Sequence, residues 1–112
     1  MKPSILSALA VSAACSFLPP AHAQQPNAGR ALAAACFTCH GTAGNSVGGV
    51  PPALAGRDRA ELFQTMKDFQ SGKRPATIMH QQAKGYSDAQ LQSIAAYFAS
   101  VKPSPAVPSA KP

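Results

Sequence analysis

The stretch Cys36-Phe37-Thr38-Cys39-His40 constrains this chain more than any other feature of its sequence. Two cysteines three positions apart, followed at once by a histidine, form the spacing that attaches a c-type haem covalently. One extra residue within these five positions would misplace a thioether bond or turn the imidazole away from the iron. We therefore expect one haem c, bound covalently by Cys36 and Cys39, with His40 as an iron ligand.

Cys-x-x-Cys pairs also occur in thioredoxin-like redox proteins and in zinc sites. A thioredoxin-like pair needs a strand-helix-strand context, and this chain has no convincing strand pattern. A closed structural zinc site needs four ligands, and beyond the motif the predicted mature chain offers only His80. The haem interpretation is therefore preferred to both alternatives.

The N-terminus has the pattern of a secretory signal peptide over residues 1–23. Lys2 supplies the positive start, residues 5–18 the apolar core, and the small residues ending at Ala23 the cleavage site. Serines and prolines interrupt the apolar run, so we expect no transmembrane anchor. The pattern predicts a periplasmic protein cleaved after Ala23, with lipidation of Cys15 as an alternative.

Removing the predicted signal leaves residues 24–112, which suffice for one small domain. A chain of this size has a marginal core, and a haem would supply apolar surface for the helices to pack against. The net charge of +6 falls to +5 without Lys2, and this excess favours acidic partners. The basic residues are scattered without interleaved aromatic residues, so we expect no nucleic-acid binding.

Periodicity and capping patterns predict three helices. The first covers the alanine-rich residues 26–35, with Asn27 as its candidate N-cap, and leads into the haem motif. The second and third each follow a capping-box pattern, at residues 58–61 and 87–90. Their apolar faces end at Gly72 and near Val101. These faces consist of Leu62, Phe63, Met66 and Phe69 in the second helix, and of Leu91, Ile94, Ala95 and Phe98 in the third.

The remaining segments are predicted to be irregular. Residues 41–56 contain five glycines and two prolines, which predict a loop that wraps over an edge of the haem and takes its order from it. Residues 73–85 form a short segment that contains Met79 and His80. Four prolines make residues 103–112 a disordered tail. The sequence thus predicts a signal peptide over 1–23, a monohaem domain over 24–102 and a tail over 103–112.

The order helix, haem motif, glycine-rich loop, helix, methionine-bearing segment, helix resembles the small bacterial class I cytochromes c over residues 26–101. The resemblance implies an all-α fold in which three main helices and the methionine-bearing segment surround one covalent haem. Within the family, residues 77–79 and 83–87 most resemble the haem subunit of flavocytochrome c sulfide dehydrogenases and the related cytochrome c4 domains. The matching residues are Gly29, 36–41, 52–56, 72–74, 77–79 and 94–98.

The resemblance also implies roles for particular residues. Met79 would be the second iron ligand, and the carbonyl of Pro52 would accept a hydrogen bond from His40. Met66, on the apolar face of the second helix, and His80, which replaces an expected glycine, are alternatives to Met79. Gly29 is unusual inside a helix. In this family it would allow close approach of an aromatic ring of the last helix, here that of Tyr97 or Phe98.

The implied function is transfer of single electrons at an exposed haem edge, with no catalytic residue in the protein. The finer interpretation is the haem subunit of a sulfide-oxidising flavoprotein complex, which would take electrons from flavin and pass them to another cytochrome. One alternative is a free-standing periplasmic shuttle that serves an oxidase or a dehydrogenase. Another is a haem ligand sensor or peroxidase-like enzyme, which would need an open distal position and a polar catalytic group. Whether the chain forms part of an enzyme is left open by the sequence.

Overall fold

A computed structural model describes residues 28–105 of the chain. The predicted signal peptide, Cys15, Asn27 and residues 106–112 lie outside this range. Between residues 28 and 105 every regular element is helical, which confirms the predicted all-α class. The elements are α1 (Ala28–Ala33), a 3-10 turn (Ala34–Cys36), α2 (Phe37–His40), a second 3-10 turn (Thr42–Gly44), α3 (Arg59–Ser71), α4 (Met79–Lys84) and α5 (Asp88–Ser100).

The core lies between α1, α3 and α5. Leu91, Ile94, Ala95 and Phe98 are buried, as the periodicity of the last helix predicts. They form one apolar cluster with Ala33 of α1 and Leu62 of α3. None of the helices described between residues 28 and 105 is long and apolar enough to cross a membrane.

Gly29 lies where α1 crosses α5. A Cβ atom built on Gly29 would come within 2.6 Å of the carbonyl oxygen of Ser93 and within 3.2 Å of the Cβ of Tyr97. The close crossing predicted at this glycine is present, but its nearest contact is the α5 backbone rather than an aromatic ring. Its nearest neighbours are the backbone of α5 and the base of the Tyr97 side chain.

The ends of α3 and α5 follow their capping patterns with one difference. Ser87 and Gln90 form the complete capping box, with both reciprocal hydrogen bonds made. At α3 only half of the box forms, because Asp58 accepts a hydrogen bond from the Glu61 amide while the Glu61 carboxylate pairs with Arg57. The α3 helix ends at Gly72, as predicted, in a left-handed conformation.

The first helix and the methionine-bearing segment differ from their predicted forms. The helix predicted over residues 26–35 narrows to a 3-10 turn at Ala34–Cys36 and then resumes as α2. Met79, predicted to lie in an irregular segment, is the first residue of α4. Because α4 has no side-chain N-cap, no local sequence signal marks its start.

The loop between α2 and α3 is fixed by hydrogen bonds of the protein itself. Near its start, the Gly44 carbonyl accepts hydrogen bonds from the amides of Leu54 (2.8 Å) and Ala55 (3.1 Å). At its end, the Gly56 amide donates to the Phe98 carbonyl of α5 at 2.8 Å. The loop therefore has internal supports in addition to any contact with the haem.

Candidate functional site

His40 is the only polar residue that is buried among residues 28–105. It ends α2, and its Nδ1 lies 2.7 Å from the carbonyl oxygen of Pro52. A carbonyl oxygen can only accept a hydrogen bond, so Nδ1 must carry the proton. The lone pair of the imidazole then lies on Nε2, the nitrogen free to bind a metal.

The Pro52 carbonyl is held in place by hydrogen bonds of the residues on either side of it. Before it in the chain, the Pro51 carbonyl accepts a hydrogen bond from the hydroxyl of Ser46. After it, the Leu54 and Ala55 amides are bound to Gly44. Nothing in the local sequence marks Ser46 for this role, and sequence reasoning missed it.

Cys36 and Cys39 carry free thiols and precede His40 on the same helical segment. Cys36 is half-buried, whereas Cys39 is exposed. Burial, and then the neighbouring Cys39, raise the pKa of the Cys36 thiol. Burial, and then Cys36, raise the pKa of the Tyr86 hydroxyl.

The three distal candidates have different surroundings. Met66 packs against the apolar core from α3, which fits a structural methionine. His80 lines a surface cleft at the C-terminal end of α3, together with Arg74 and Lys84. Met79 is half-buried and belongs neither to the core cluster nor to the lining of that cleft.

Hydrogen bonds from Gln70 link α3 to the end of α4, and sequence reasoning also missed this residue. Its side-chain nitrogen donates hydrogen bonds to the carbonyls of Ala83 and Tyr86, both at 2.9 Å. Its side-chain oxygen accepts one from Lys67 at 2.8 Å. The helix that begins with Met79 is therefore anchored at its far end.

The residues present fit a covalently bound haem. Two free thiols and an imidazole with an available Nε2 lie within residues 36–40, at the end of the first 3-10 turn and in α2. Several apolar side chains pack against the core while they remain partly exposed, and they provide surface that a porphyrin can cover. They include Leu32, Leu54, Phe63, Met66 and Tyr86.

Two thiols ahead of a buried, carbonyl-bound histidine in an all-helical domain define a c-type cytochrome. A comparison with protein families agrees, because the model described as "Cytochrome C oxidase, cbb3-type, subunit III" matches residues 23–98, more than half of the chain. The chain therefore belongs to this family of class I cytochrome c domains. It is an electron-transfer protein with covalently bound haem c, as its resemblance to the family implied.

Curated relatives have several names. The chain is 46% identical over 75 residues to a cytochrome c4 of Pseudomonas aeruginosa, an alignment that covers 67% of this chain and 37% of the relative. It is 39% identical over 70 residues to the cytochrome subunit of sulfide dehydrogenase of Chlorobaculum tepidum, covering 62% of this chain and 63% of the relative. It is also 38% identical over 69 residues to a thiosulfate dehydrogenase electron acceptor of Stutzerimonas stutzeri, covering 59% and 32%. The chain thus spans less than two thirds of the length of each.

Proposed function

We propose that the chain carries one haem joined to Cys36 and Cys39, with His40 and Met79 as the two iron ligands. When bound, the haem supplies an iron that accepts and releases one electron. The observation that supports the proposal most directly is the 2.7 Å hydrogen bond between His40 Nδ1 and Pro52 O. This bond fixes the ring and makes Nε2 a stronger electron donor.

Met79 is the better second ligand because the other two side chains are engaged elsewhere. Met66 fills space against the core, and His80 faces the cleft beside Arg74. Successive helical residues point about 100° apart, so Met79 and His80 cannot face the same atom. A thioether ligand suits an electron carrier, because it favours ferrous iron and raises the reduction potential.

Covalent attachment of the haem is tested by mass spectrometry. The full chain expressed with haem attachment should gain the mass of one haem that acid and acetone do not extract. If the N-terminal pattern is processed as predicted, the chain will begin at Gln24 and will be recovered from the periplasm. Two free thiols in the mass spectrum would refute covalent attachment.

The physiological role that we favour is the haem subunit of a flavocytochrome c sulfide dehydrogenase. Its support is the match of residues 77–79 and 83–87 to that subgroup, together with a relative named as the cytochrome subunit of sulfide dehydrogenase. In this role the chain takes electrons from a flavoprotein and passes them to another cytochrome. No residue of the chain is catalytic in this scheme.

A free-standing periplasmic electron shuttle is the second candidate, favoured by the charge of the surface. Each of the four acidic side chains is engaged by a cation or a backbone amide, and the ten basic residues outnumber them to give a positive excess. The cleft that contains Arg74, His80 and Lys84 has no carboxylate among its described lining residues. A surface of this kind favours brief encounters with acidic redox partners.

Gel filtration and salt dependence separate the two roles. A subunit will co-elute with the sulfide dehydrogenase flavoprotein at moderate salt, and sulfide will reduce its haem faster in the complex than in the cytochrome alone. A shuttle will elute separately, and its electron-transfer rate will fall steeply with salt. Lys84→Glu should then slow electron transfer by the shuttle more than Arg30→Glu, because the two changes are equal in charge and only Lys84 lines the cleft.

A ligand sensor or peroxidase-like enzyme would need an open distal position on the iron. Met79, as the second iron ligand, would occupy that position.

A further inference from the structure

The chain that follows α5 returns to the loop that presents Pro52. Pro103 lies against Gly56, so closely that a Cβ on Gly56 would come within 2.4 Å of the Pro103 Cγ. One residue further on, the Ser104 amide donates a hydrogen bond to the side-chain oxygen of Asn45 at 2.7 Å. Residues 103–105, named here the strap, therefore touch the loop near both of its ends.

Asn45 connects the strap to the turn that follows the haem motif. Its side-chain nitrogen donates to the Thr42 carbonyl at 3.4 Å, and its backbone amide donates to the same carbonyl at 3.0 Å. Its side-chain oxygen receives the Ser104 amide. One amide side chain thus joins the strap to the 3-10 turn at the start of the loop.

The supports of the Pro52 carbonyl lie between these two contacts. Ser46, which binds the Pro51 carbonyl, is the neighbour of Asn45 in the chain. Ala55, whose amide is bound to Gly44, is the neighbour of Gly56. Movement of either end of the loop would therefore shift the carbonyl that accepts the His40 proton.

We propose that the strap is a positioning element, which holds Asn45 and Gly56 so that the Pro52 carbonyl stays in hydrogen-bond contact with His40 Nδ1. The inference rests on the proposed role of His40 as iron ligand. Asn45, Pro103 and the Ser104 amide act through Pro52 and do not touch the iron. Without the strap the hydrogen bond lengthens, the imidazole donates less electron density, and ferric iron is stabilised less.

Two pairs of variants test the strap. A chain that ends after Lys102 lacks the strap, whereas a chain that ends after Pro105 keeps it. Asn45→Ala removes the acceptor of the Ser104 amide, whereas Ser104→Ala leaves that backbone donor in place. Amide hydrogen exchange is measured at Leu54, Ala55 and Gly56, and the midpoint potential is measured on the haem-loaded proteins.

The chain ending after Lys102 and Asn45→Ala should each speed exchange of these amides by about tenfold, as expected for loss of one hydrogen bond. At a fixed solution potential, the ratio of ferrous to ferric haem in these variants should rise by about two- to tenfold. This effect is no larger than that of mutating a residue that hydrogen-bonds a metal ligand directly. The two control variants should match the full chain in both measurements.

Equal exchange rates and equal potentials in the chains ending after Lys102 and after Pro105 would overturn the proposal. Faster exchange with an unchanged potential would also overturn it, since the strap would then stabilise the loop without acting on His40. Failure of the ligand assignment is a separate result. If that assignment is wrong, His40 will not be an iron ligand in the full-length chain, whatever the amide exchange rates of the variants.

Discussion

The ring of Phe98 lies directly against Gly44, so that a Cβ on Gly44 would come within 2.7 Å of its Cδ1 atom. Gly44 also has a φ of +78°, a backbone conformation that residues with a side chain rarely adopt. We expect Gly44→Ala to lower the free energy of unfolding by about 2–4 kcal/mol, of which about 1 kcal/mol is backbone strain and the rest overpacking. Urea denaturation measures the loss.

Gly48→Ala is the matched control for that variant. Gly48 has a similar φ of +83°, but nothing lies within 4 Å of a Cβ built there. Gly48→Ala should lower the free energy of unfolding by only about 1 kcal/mol, from backbone strain alone. If the two variants lose equal free energy of unfolding, contact with the Phe98 ring does not contribute to the effect of Gly44→Ala.

The second prediction concerns the crossing of α1 and α5 at Gly29. Alanine usually favours a helix over glycine by about 1 kcal/mol, but here its methyl group would lie 2.6 Å from the Ser93 carbonyl oxygen. We expect Gly29→Ala to destabilise the protein by about 1–3 kcal/mol, because the helices must separate. Thermal unfolding of the haem-loaded protein measures the effect.

Gly85→Ala provides the comparison for Gly29. A Cβ on Gly85 would lie 3.5 Å from the Gln82 carbonyl oxygen, an ordinary van der Waals distance. Its φ of −73° also suits any residue. This variant should be neutral or stabilising by up to about 1 kcal/mol. A Gly29→Ala protein as stable as Gly85→Ala would contradict the close crossing.

The third prediction separates the methionines. Met79→Ala should abolish the weak absorption band of a thioether-ferric bond and lower the midpoint potential, because the soft ligand is lost. Met66→Ala should keep the band and lower the free energy of unfolding by about 1–3 kcal/mol, since Met66 packs against the core. The opposite pattern would identify Met66 as the ligand.

The fourth prediction concerns Gln70, which links α3 to the end of α4. Gln70→Leu would remove the side-chain donor to the carbonyls of Ala83 and Tyr86, and Ala83 would keep the weaker bond from the Tyr86 amide. The expected loss in the free energy of unfolding is about 1–3 kcal/mol. Because α4 begins with Met79, the thioether band should also disappear at a lower temperature than in the parent protein. Gln81→Leu, on the exposed side of α4, should leave that temperature unchanged.

Sequence reasoning succeeded where the controlling interactions are short in range. The spacing of Leu91, Ile94 and Phe98 identified the buried face of α5, because a helix repeats every 3.6 residues. The Ser87 capping box and the stop at Gly72 were also local signals. In each case the interacting residues lie within about two helical turns of each other.

Long-range and competing contacts could not be predicted in this way. Asn45 and Ser104 are 59 positions apart, and no local pattern relates an amide side chain to a distant backbone donor. Glu61 had two partners within reach, its own helix cap and Arg57, and the structure pairs it with the cation. The capping-box pattern considers only residues 58–61, so it cannot predict that Glu61 pairs with Arg57 instead.

The engagement of every carboxylate has a consequence for how copies of the protein meet. Glu61, Asp68 and Asp88 each pair with a cation of the same molecule, Asp58 caps a helix, and ten basic residues outnumber these four acidic ones. Two molecules therefore present the same sign of charge to each other and repel at low ionic strength. The net positive charge therefore opposes self-association of the domain at low ionic strength.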